Sequence, residues 1–455
     1  MKISVVILAA GQGTRMRSEL PKVLQPLAGR PLLEHVLDTS ETLQPEQIIV
    51  VYGHGGEQVR EHFADRQLSW VEQAPQLGTG HAVQQAMPSV DAAHTVIVMS
   101  GDVPLVRPET VRSLASAAGD QNLAVLTVDA EDAAGYGRIV RGGAGEVLAI
   151  VEERDATDDQ RKITEINTGL LACPARLLGP WLETLKAENA QGEYYLTDVA
   201  ASAAADGVRV NAVSAESETE VMGINDKLQL AQAERAYQAR IANELMLNGV
   251  TLADPQRIDV RGQLKCDTDV FIDMNVLLEG SVKLGHAVTI GPNCVIRDST
   301  IADGTTIHAN SLLDSAVVGK NCSVGPYARL RPGAEMADES RVGNFVEVKK
   351  STIGKGSKVN HLTYIGDTEI GADVNVGAGT ITCNYDGANK QRTIIGDDAF
   401  IGSGVELVAP VEIGAGATIG AGSTVSKDAP ANRLTIERAR QTTVPNWRRP
   451  VKKKD

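Results

Sequence analysis

The residues with the clearest chemical potential near the amino terminus form a glycine-rich turn followed by two cations. The stretch "SVVILAAGQGTRM" (4–16) runs from apolar residues into Gly11 and Gly13, and Arg15 and Lys22 follow. Glycines allow the backbone to turn tightly and to aim its N–H groups at an anion, and the cations add fixed positive charge. The turn predicts a phosphate site, and an ordinary strand-to-helix connection is the alternative.

Two common phosphate motifs are excluded by the residues that follow the turn. The dinucleotide fingerprint needs a third glycine where this chain has Met16. The P-loop needs Gly-Lys-Ser/Thr six residues on, and Arg17-Ser18 does not supply it. A phosphate site here must therefore be of another type.

A carboxylate at the end of a buried strand is the next candidate. Asp102 closes "HTVIVMSGD" (94–102), so it would lie at the carboxyl edge of a parallel sheet, where ligands bind in such folds. One carboxylate together with phosphate oxygens is a typical Mg²⁺ arrangement. The alternative is an aspartate that only caps a turn.

Composition bounds the kind of protein that can hold these groups. The 455 residues carry a net charge of −14, which argues against general nucleic-acid binding. No apolar run approaches a membrane span, and the start of the chain does not read as a signal peptide. The five cysteines (173, 266, 294, 322, 383) show no metal-type pairing and indicate a reducing cytoplasm.

The first half of the chain alternates apolar runs with helical stretches. Strand candidates are "QIIVVYG" (47–53), "HTVIVMSGD", "LAVLTVD" (123–129) and "VLAIVEE" (147–153). This alternation predicts an α/β domain with a largely parallel sheet over 1–225. Helical spacing with an Asn-Gly stop then predicts a linker helix over 226–248.

From 249 to 455 a six-residue period replaces the helical one. Aliphatic residues recur in runs of six with occasional steps of five: Leu284, Ile290, Ile296; Ile301, Ile307, Leu313; Val318, Val324, Leu330, Met336, Val342, Val348; Ile353, Val359, Ile365; Ile370, Val376; and Ile395, Ile401, Leu407, Ile413, Ile419, Val425. Hexapeptide repeats predict a parallel β-helix, of the left-handed form. Its narrow interior has little room for aromatic rings, which accounts for an aromatic content of 3%.

Two features interrupt the repeats. An insertion, "TITCNYDGANKQRT" (380–393), is placed where an outward binding loop or a floppy corner would be. His361 falls between the repeat positions Val359 and Ile365 and would point outward, as a base or as a structural histidine.

Six motifs in order make the first half resemble the sugar-nucleotide pyrophosphorylases: "LAAGQGTRM", "PKVL", "QLGTGHA", "SGDVPL", "GYGRI" and "EINTG". The second half, with "NFVEVKKSTIGKGSKVNHLTYIGD" and "GAGTITCNYDGANK", resembles the hexapeptide acyltransferases. Together they resemble the bacterial bifunctional family that acetylates glucosamine-1-phosphate with acetyl-CoA and then transfers UMP from UTP. The implied product is UDP-N-acetylglucosamine, a cell-envelope precursor.

The resemblance assigns residues to the nucleotidyl reaction. UTP would lie on the turn from Leu8 to Gly13, with Arg15 and Lys22 neutralising charge and Asp102 and Asn225 holding Mg²⁺. The implied substrate-binding set is Leu8, Ala9, Ala10, Gly11, Lys22, Gln73, Gly78, Thr79, Ser100, Gly101, Asp102, Gly137, Glu152, Asn167 and Asn225. Gln73, Gly78 and Thr79 would recognise uracil, and Gly137, Glu152 and Asn167 the sugar. Some relatives carry an aromatic residue where this chain has Ser100.

It also assigns residues to acetyl transfer. His361 would be the base, with Glu347 orienting it or relaying protons, and the backbone N–H of Ala378 would face the oxyanion. Arg331 and Lys349 would bind the sugar phosphate, with Tyr364 and Asn375 at the amino sugar. The remaining contacts, to coenzyme A, fall to Asn384, Tyr385, Ser403, Ala421 and Arg438.

The resemblance further implies a homotrimer, with acetyl sites between chains. The basic tail "WRRPVKKKD" (447–455) would help hold the coenzyme phosphates, or is a frayed terminus. The alternatives are a nucleotidyltransferase with one activity, whose β-helix only assembles or regulates, and a catalytically silent scaffold subunit.

Overall fold

The computed structural model describes residues 1–11, 13–53 and 55–452, which form two compact units, Met1–Tyr237 and Gln238–Asp455. Helix Lys227–Leu247 runs from the first unit into the second, in the segment where the sequence predicts a linker helix. The predicted domain limits at 225 and 248 stay a prediction.

The first unit is an α/β domain. Its strands are β1 Ile3–Ala9, β2 Pro26–Leu27, β3 Arg30–Pro31, β4 Gln47–Tyr52, β5 Ser69–Glu72, β6 Thr95–Ser100, β7 Leu123–Asp129, β8 Arg138–Arg141, β9 Val147–Val151, β10 Glu165–Pro174 and β11 Val210–Ser214. Its helices are α1 Leu32–Glu41, α2 Gly56–His62, α3 Thr79–Ala86, α4 Pro108–Ala118, α5 Ala175–Glu183 and α6 Asp198–Ala205, and α7 is Lys227–Leu247. Short 3₁₀ helices are Thr14–Met16, Lys22–Leu24, Met87–Ser89, Gln160–Lys162 and Thr219–Val221.

The main sheet of this unit runs in the order β11-β7-β10-β6-β1-β4-β5, with the β8–β9 hairpin attached through β10. The central strands are buried on both faces, as their continuous apolar runs predict. Because β1, β4 and β6 pair in parallel, their carboxyl ends meet at one edge. That edge receives the glycine-rich turn after β1 and Asp102 after β6.

The sheet is more mixed than the sequence indicates. Strand β10 lies between β6 and β7 and is antiparallel to both, and the β8–β9 hairpin is also antiparallel. The sequence contains "EINTG" as a motif, but nothing local specifies the direction in which that strand pairs.

The second unit is a left-handed parallel β-helix. Its strands are β12 Thr251–Leu252, β13 Ile258–Cys266, β14 Phe271–Ile272, β15 Val276–Leu284, β16 Thr289–Ile290, β17 Val295–Arg297, β18 Thr300–Ile301, β19 Thr306–Ile307, β20 Leu312–Asp314, β21 Val317–Val318, β22 Ser323–Val324, β23 Arg329–Leu330, β24 Ala334–Met336, β25 Arg341–Asn344, β26 Glu347–Lys349, β27 Ser351–Ile353, β28 Lys358–His361, β29 Tyr364–Gly366, β30 Thr368–Ile370, β31 Asn375–Val376, β32 Ile381–Cys383, β33 Thr393–Ile395, β34 Phe400–Ile401, β35 Glu406–Val408, β36 Val411–Ile413, β37 Thr418–Ile419, β38 Thr424–Val425 and β39 Leu434–Thr435.

The aliphatic repeat residues form the core of this unit. Every repeat position that the sequence analysis names is buried, and equivalent positions stack from coil to coil, as Ile290, Ile307 and Val324 do. Each short strand pairs in parallel with its equivalent in the next coil. The six-residue period therefore places one inward side chain on each face of each coil.

A glycine that follows the aliphatic residue is required where two coils approach closely. A Cβ added at Gly354 would lie 2.2 Å from the carbonyl oxygen of Gly371, which is backbone and cannot move aside. We expect Gly354→Ala to lower the free energy of unfolding of this unit by about 1–3 kcal/mol. Chemical denaturation checks this, with Lys355→Ala at the next, exposed position as the control. A Gly354→Ala protein as stable as the Lys355→Ala protein would contradict the close approach.

Two further observations bear on the class of protein. Across the residues that the structure describes, every helix is too short or too polar to span a bilayer. All five cysteines are free thiols, and burial raises the pKa of the Cys173 thiol to about 12. No disulfide therefore contributes to either unit.

Candidate active sites

A cavity of about 520 Å³ opens at the carboxyl edge of the β1, β4 and β6 strands. Most of the predicted nucleotide-binding residues line it: Leu8, Ala9, Ala10, Gly11, Lys22, Gln73, Gly78, Thr79, Ser100 and Asp102. Gly101 is buried beside them, and its N–H donates to the carbonyl of Leu8 at 2.9 Å. The structure thus brings together residues that are almost one hundred positions apart in the sequence.

The two predicted cationic side chains, Lys22 and Arg15, differ in their position relative to the larger cavity. Lys22 is largely buried and lines the cavity, whereas Arg15 is exposed on the 3₁₀ helix Thr14–Met16 and does not line it. Gln12, in the predicted phosphate turn, lies outside the described residues. The turn itself begins at Ala10, directly after β1.

Lys22, Asp102 and Asn225 converge in this cavity. The Lys22 ammonium forms an ion pair with the Asp102 carboxylate, and it donates to Asn225 Oδ1 at 3.2 Å. Two oxygen ligands therefore already face one positive charge, which fits a site for a hard cation such as Mg²⁺. Within the described residues, no three His, Cys, Asp or Glu side chains cluster as a metal site, so phosphate oxygens would have to complete the coordination.

The uracil-recognition candidates are organised by a close approach of two loops. The side-chain amide of Gln73 donates to the carbonyl of Gly78 at 2.9 Å, just before α3 begins at Thr79. Gly78 has φ +106°, and a Cβ there would lie 2.7 Å from the carbonyl oxygen of Tyr194. Glycine is therefore required at this position, and the loop presents Thr79 to the cavity.

A second, smaller cavity of about 110 Å³ adjoins the first and shares Leu8, Thr79 and Ser100 with it. The predicted sugar-binding residues Glu152 and Asn167 line it. Its floor is apolar and comprises Val125, Ile150, Leu171, Leu196 and Val199. This combination of a polar rim and an apolar floor suits a sugar that carries a small acyl group.

Glu152 is held at the rim in a largely buried position. The Thr197 hydroxyl donates to its carboxylate at 3.0 Å. Burial raises the pKa of the Glu152 carboxyl above its usual range, repulsion from Asp198 and Asp155 adds to this, and the Thr197 hydrogen bond opposes it. Gly137 adjoins Glu152, because a Cβ at Gly137 would lie 3.5 Å from that carboxyl group.

The two cavities are also lined by residues that were not predicted from the sequence. Gln76 donates to the carbonyl of Ala10 at 2.5 Å and lines the larger cavity together with Glu193. Thr197 lines the smaller one. Gln76 falls inside the motif "QLGTGHA", which is a signal that was present in the sequence, whereas Glu193 and Thr197 belong to none of the motifs.

In the β-helix, one corner of successive coils carries a vertical series of candidate residues. Asn344 pairs in register with His361, and the same backbone hydrogen bond then repeats upward: Gly379 N–H to His361 O, Gly404 N–H to Ala378 O, and Gly422 N–H to Ser403 O. We call this series the corner column, which consists of Asn344, His361, Ala378, Ser403 and Ala421. Arg438 lies at its far end and donates to the carbonyl of Ala421 at 2.9 Å.

His361 is exposed, and its orientation is fixed within the corner column. Its Nδ1 lies 2.9 Å from Oδ1 of Asn344. An amide oxygen only accepts, so Nδ1 carries the proton and Nε2 keeps a free lone pair. The arrangement prepares the imidazole to accept a proton at Nε2, and Asn344 is an orienting residue that the sequence analysis does not identify.

Removing this orienting amide tests its role. We expect Asn344→Ala to lower the rate of proton-dependent chemistry at His361 about tenfold, because the ring then samples both tautomers and several orientations. The measurement is acetyl transfer by the variant against the unmodified protein. Asn360→Ala, which removes an amide next to His361 in the chain, is the control. An Asn344→Ala protein with full acetyl transfer would show that the hydrogen bond is dispensable.

Glu347 has a different partner from the one expected of it. Its carboxylate accepts from Arg331 Nη1 at 2.8 Å and lies 3.7 Å from Arg329 Nη1. It pairs in register with Tyr364 of the next coil, where Lys349 pairs with Gly366. The structure thus groups Glu347 with the phosphate and amino-sugar candidates, while Asn344 contacts His361.

The insertion at 380–393 is an ordered loop. Asn384 is buried and donates to the Asp367 carboxylate at 2.5 Å, and Tyr385 lies beneath the ammonium of Lys390, 4.4 Å from its ring centre. A Cβ at Gly366 would meet both the Tyr364 hydroxyl and the Asn384 amide within 2.6 Å. The loop therefore packs onto the coil that carries Tyr364.

The remaining candidates lie apart from these clusters. Asn375 is on β31, in register with Lys358 and Phe400. The tail from Trp447 is exposed, and its last three residues lie outside the described part of the chain.

Comparison with known proteins gives matches to both units. Residues 5–196 match the MobA-like NTP transferase domain, 260–339 the GMPPB C-terminal domain, and 392–427 the bacterial transferase hexapeptide repeats. Full-length relatives that carry the name bifunctional protein GlmU include those of Alkalilimnicola ehrlichii, 57% identical over 100% of this chain and 98% of the relative, and Azoarcus sp., 55% identical over 99% and 100%. That of Stutzerimonas stutzeri is 56% identical over the whole of both chains.

Proposed function

The chain belongs to the family of bifunctional GlmU proteins, and from this premise we propose how its described residues divide the two reactions. The protein acetylates glucosamine-1-phosphate with acetyl-CoA and transfers UMP from UTP to N-acetylglucosamine-1-phosphate, giving UDP-N-acetylglucosamine and pyrophosphate. The proposal assigns uridyl transfer to the paired cavities of the first unit and acetyl transfer to the corner column of the second.

In uridyl transfer, a phosphate oxygen of the sugar attacks the α-phosphorus of UTP, and pyrophosphate leaves. Both reactants are anions, so their repulsion must be offset. Lys22 supplies positive charge within the cavity. Arg15, on the 3₁₀ helix that follows the glycine-rich turn, would add its positive charge when the nucleotide is bound. The backbone from Leu8 to Gly11 would face the phosphates.

Asp102 and Asn225 would hold Mg²⁺, because their oxygens already converge on the single positive charge of Lys22. The ion would supply charge neutralisation at the phosphates. Gln73, Gly78 and Thr79 would hold the uracil ring, and Gly137, Glu152 and Asn167 the sugar. The observation that carries this assignment is the pair of adjoining cavities, one lined by Gln73, Gly78 and Thr79 and the other by Glu152 and Asn167. Gly137 adjoins the Glu152 carboxyl group.

In acetyl transfer, His361 would take a proton from the amine of glucosamine-1-phosphate. The amine then attacks the thioester carbonyl, with the N–H of Ala378 facing the oxyanion, and collapse of the tetrahedral intermediate breaks the C–S bond. The coenzyme A thiolate leaves and takes up the second proton, which the nitrogen loses as the amide forms. Arg331 and Lys349 would bind the sugar phosphate, with Tyr364 and Asn375 at the sugar ring. Asn384, Tyr385, Ser403, Ala421 and Arg438 would contact acetyl-CoA.

A homotrimer is part of the proposal. Large apolar side chains are exposed at the corner next to the acetyl site, where Tyr327 and Phe345 stack at 5.3 Å and Leu362 follows one coil later. Exposed apolar groups of this kind favour burial against another chain. Sedimentation of the purified protein tests the trimer.

One assay separates the proposed function from its alternative. We expect the purified protein with Mg²⁺, UTP, acetyl-CoA and glucosamine-1-phosphate to form UDP-N-acetylglucosamine, detected by mass spectrometry, only when acetyl-CoA is present. Omission of each component in turn is the control. Product that forms only from supplied N-acetylglucosamine-1-phosphate would mean that the β-helix does not catalyse acetyl transfer and acts as an assembly module.

A further inference from the structure

Arg138 is a buried charged residue that neither reaction uses directly. Its side chain is 2% exposed, and its Nη2 lies 2.7 Å from the carboxylate of Glu153. Its Nη1 donates to the carbonyl of Tyr136, and its Nε has no hydrogen-bond partner among the described residues. Arg138 gives up its hydration for a carboxylate that is itself 31% exposed, and burying a charge is costly even when it is paired, so this arginine calls for a reason beyond stability.

The position of Arg138 in the sheet supplies that reason. Arg138 lies opposite Val151 of β9 and Ile166 of β10, so it is the point where three strands meet. One residue before Arg138 is Gly137, and one residue after Val151 and Ile166 are Glu152 and Asn167. Because β8 is antiparallel to both other strands, these three residues form one row across the strands. The N–H of Asn167 donates to the carbonyl of Gly137 at 2.8 Å. The row is the proposed sugar-binding set.

The ion pair lies on the reverse side of that row. Side chains alternate between the two faces along an extended segment, and Glu152 lines the sugar cavity together with Ile150. Arg138 is in register with Val151, the residue between Ile150 and Glu152, so it points away from the cavity, and Glu153, in the turn that follows β9, meets it there. Because the pair ties the turn after β9 to strand β8, it opposes movement of Glu152 relative to Gly137.

We propose that the Arg138–Glu153 pair is a positioning device, which holds Gly137, Glu152 and Asn167 in the geometry that binds the sugar phosphate. The inference rests on the proposed uridyl-transfer function. Arg138 and Glu153 act through the backbone of the row and not on the substrate. Loss of the pair should therefore weaken recognition of the sugar and leave recognition of UTP intact, because the residues that line the nucleotide cavity do not include the hairpin.

The test measures the Michaelis constants of both substrates in Glu153→Gln. We expect KM for N-acetylglucosamine-1-phosphate to rise about tenfold or more, while KM for UTP changes by less than about twofold. The matched control is Glu165→Gln, which breaks the ion pair with Arg141 at the outer end of the same hairpin, where both guanidinium bonds are 2.7 Å. We expect this variant to keep both constants.

A second variant separates positioning from simple loss of structure. Arg138→Lys keeps the charge pair with Glu153 and should show a smaller rise in KM for the sugar phosphate than Glu153→Gln does. Equal rises in both Michaelis constants, or an equal effect of Glu165→Gln, would overturn the inference. Glu153→Gln with unchanged constants and only a lower Tm would overturn it too. Failure of the unmodified protein to transfer UMP would instead refute the proposed function.

Discussion

Replacing His361 with alanine is expected to lower acetyl transfer by about 10²–10⁴-fold, the usual contribution of a positioned general base. The amine of glucosamine-1-phosphate is protonated near neutral pH, and it attacks only after it loses a proton. With Nδ1 donating to the Asn344 amide oxygen, Nε2 is the atom that would accept this proton. The side chain is exposed, and its removal leaves the stacked core of the β-helix unchanged.

The two half-reactions are measured separately on the same preparation. Acetyl transfer is monitored through the coenzyme A thiol that it releases. Uridyl transfer is monitored through the pyrophosphate that it releases from UTP and supplied N-acetylglucosamine-1-phosphate. His308→Ala is the matched control, since His308 is another exposed β-helix histidine with one side-chain partner, Ser323 at 3.0 Å. Loss of both activities in His361→Ala, or retention of acetyl transfer, would refute the assignment.

Replacing Asp102 with alanine should lower uridyl transfer and leave acetyl transfer unchanged. We expect uridyl transfer to fall about a thousandfold, as happens when a group that stabilises transition-state charge is removed. The carboxylate is mostly buried, with 19% of its side chain exposed, and it pairs with Lys22 beside Asn225. Its loss removes the proposed anionic ligand of Mg²⁺ and leaves the Lys22 ammonium without its carboxylate.

Acetyl transfer should continue in Asp102→Ala at the rate of the unmodified protein, because the residues assigned to it all lie in the second unit. Asp120→Ala, an exposed carboxylate of the same unit, is the control. Uridyl transfer that survives in Asp102→Ala would remove this residue from the site, and loss of acetyl transfer would point to a general defect in folding.

The sequence predicts the β-helix well because its signal is local and repeated. Ile290, Ile307 and Val324 each occupy the same place in a coil, and a single rule for the side-chain period buries them all. Strand β10 shows the limit of such signals. Its second half, Leu170 to Cys173, is as apolar as a parallel strand, and its antiparallel direction depends on the path of the chain.

The site is predictable to the extent that its residues belong to motifs. Lys22, Asp102 and Asn167 are found through motifs, and the structure brings them to two adjoining cavities. The partners proposed to orient these residues are not found through motifs. Asn344 meets His361 only through the register of the coils, and Arg138 meets Glu153 only through the turn of a hairpin. Such pairs follow from three-dimensional register, which no short stretch of sequence encodes.

The residues of the corner column are evenly spaced along the axis of the β-helix. Adjacent strands are separated by a nearly constant distance, so the three steps from His361 to Ala421 span about 14 Å. The insertion 380–393 lengthens the chain between Ala378 and Ser403, yet the two residues remain one step apart. The distance between any two residues of the corner column is consequently a whole number of strand spacings. Loops at the corners, such as the insertion 380–393, can therefore vary in length without altering the spacing of the column.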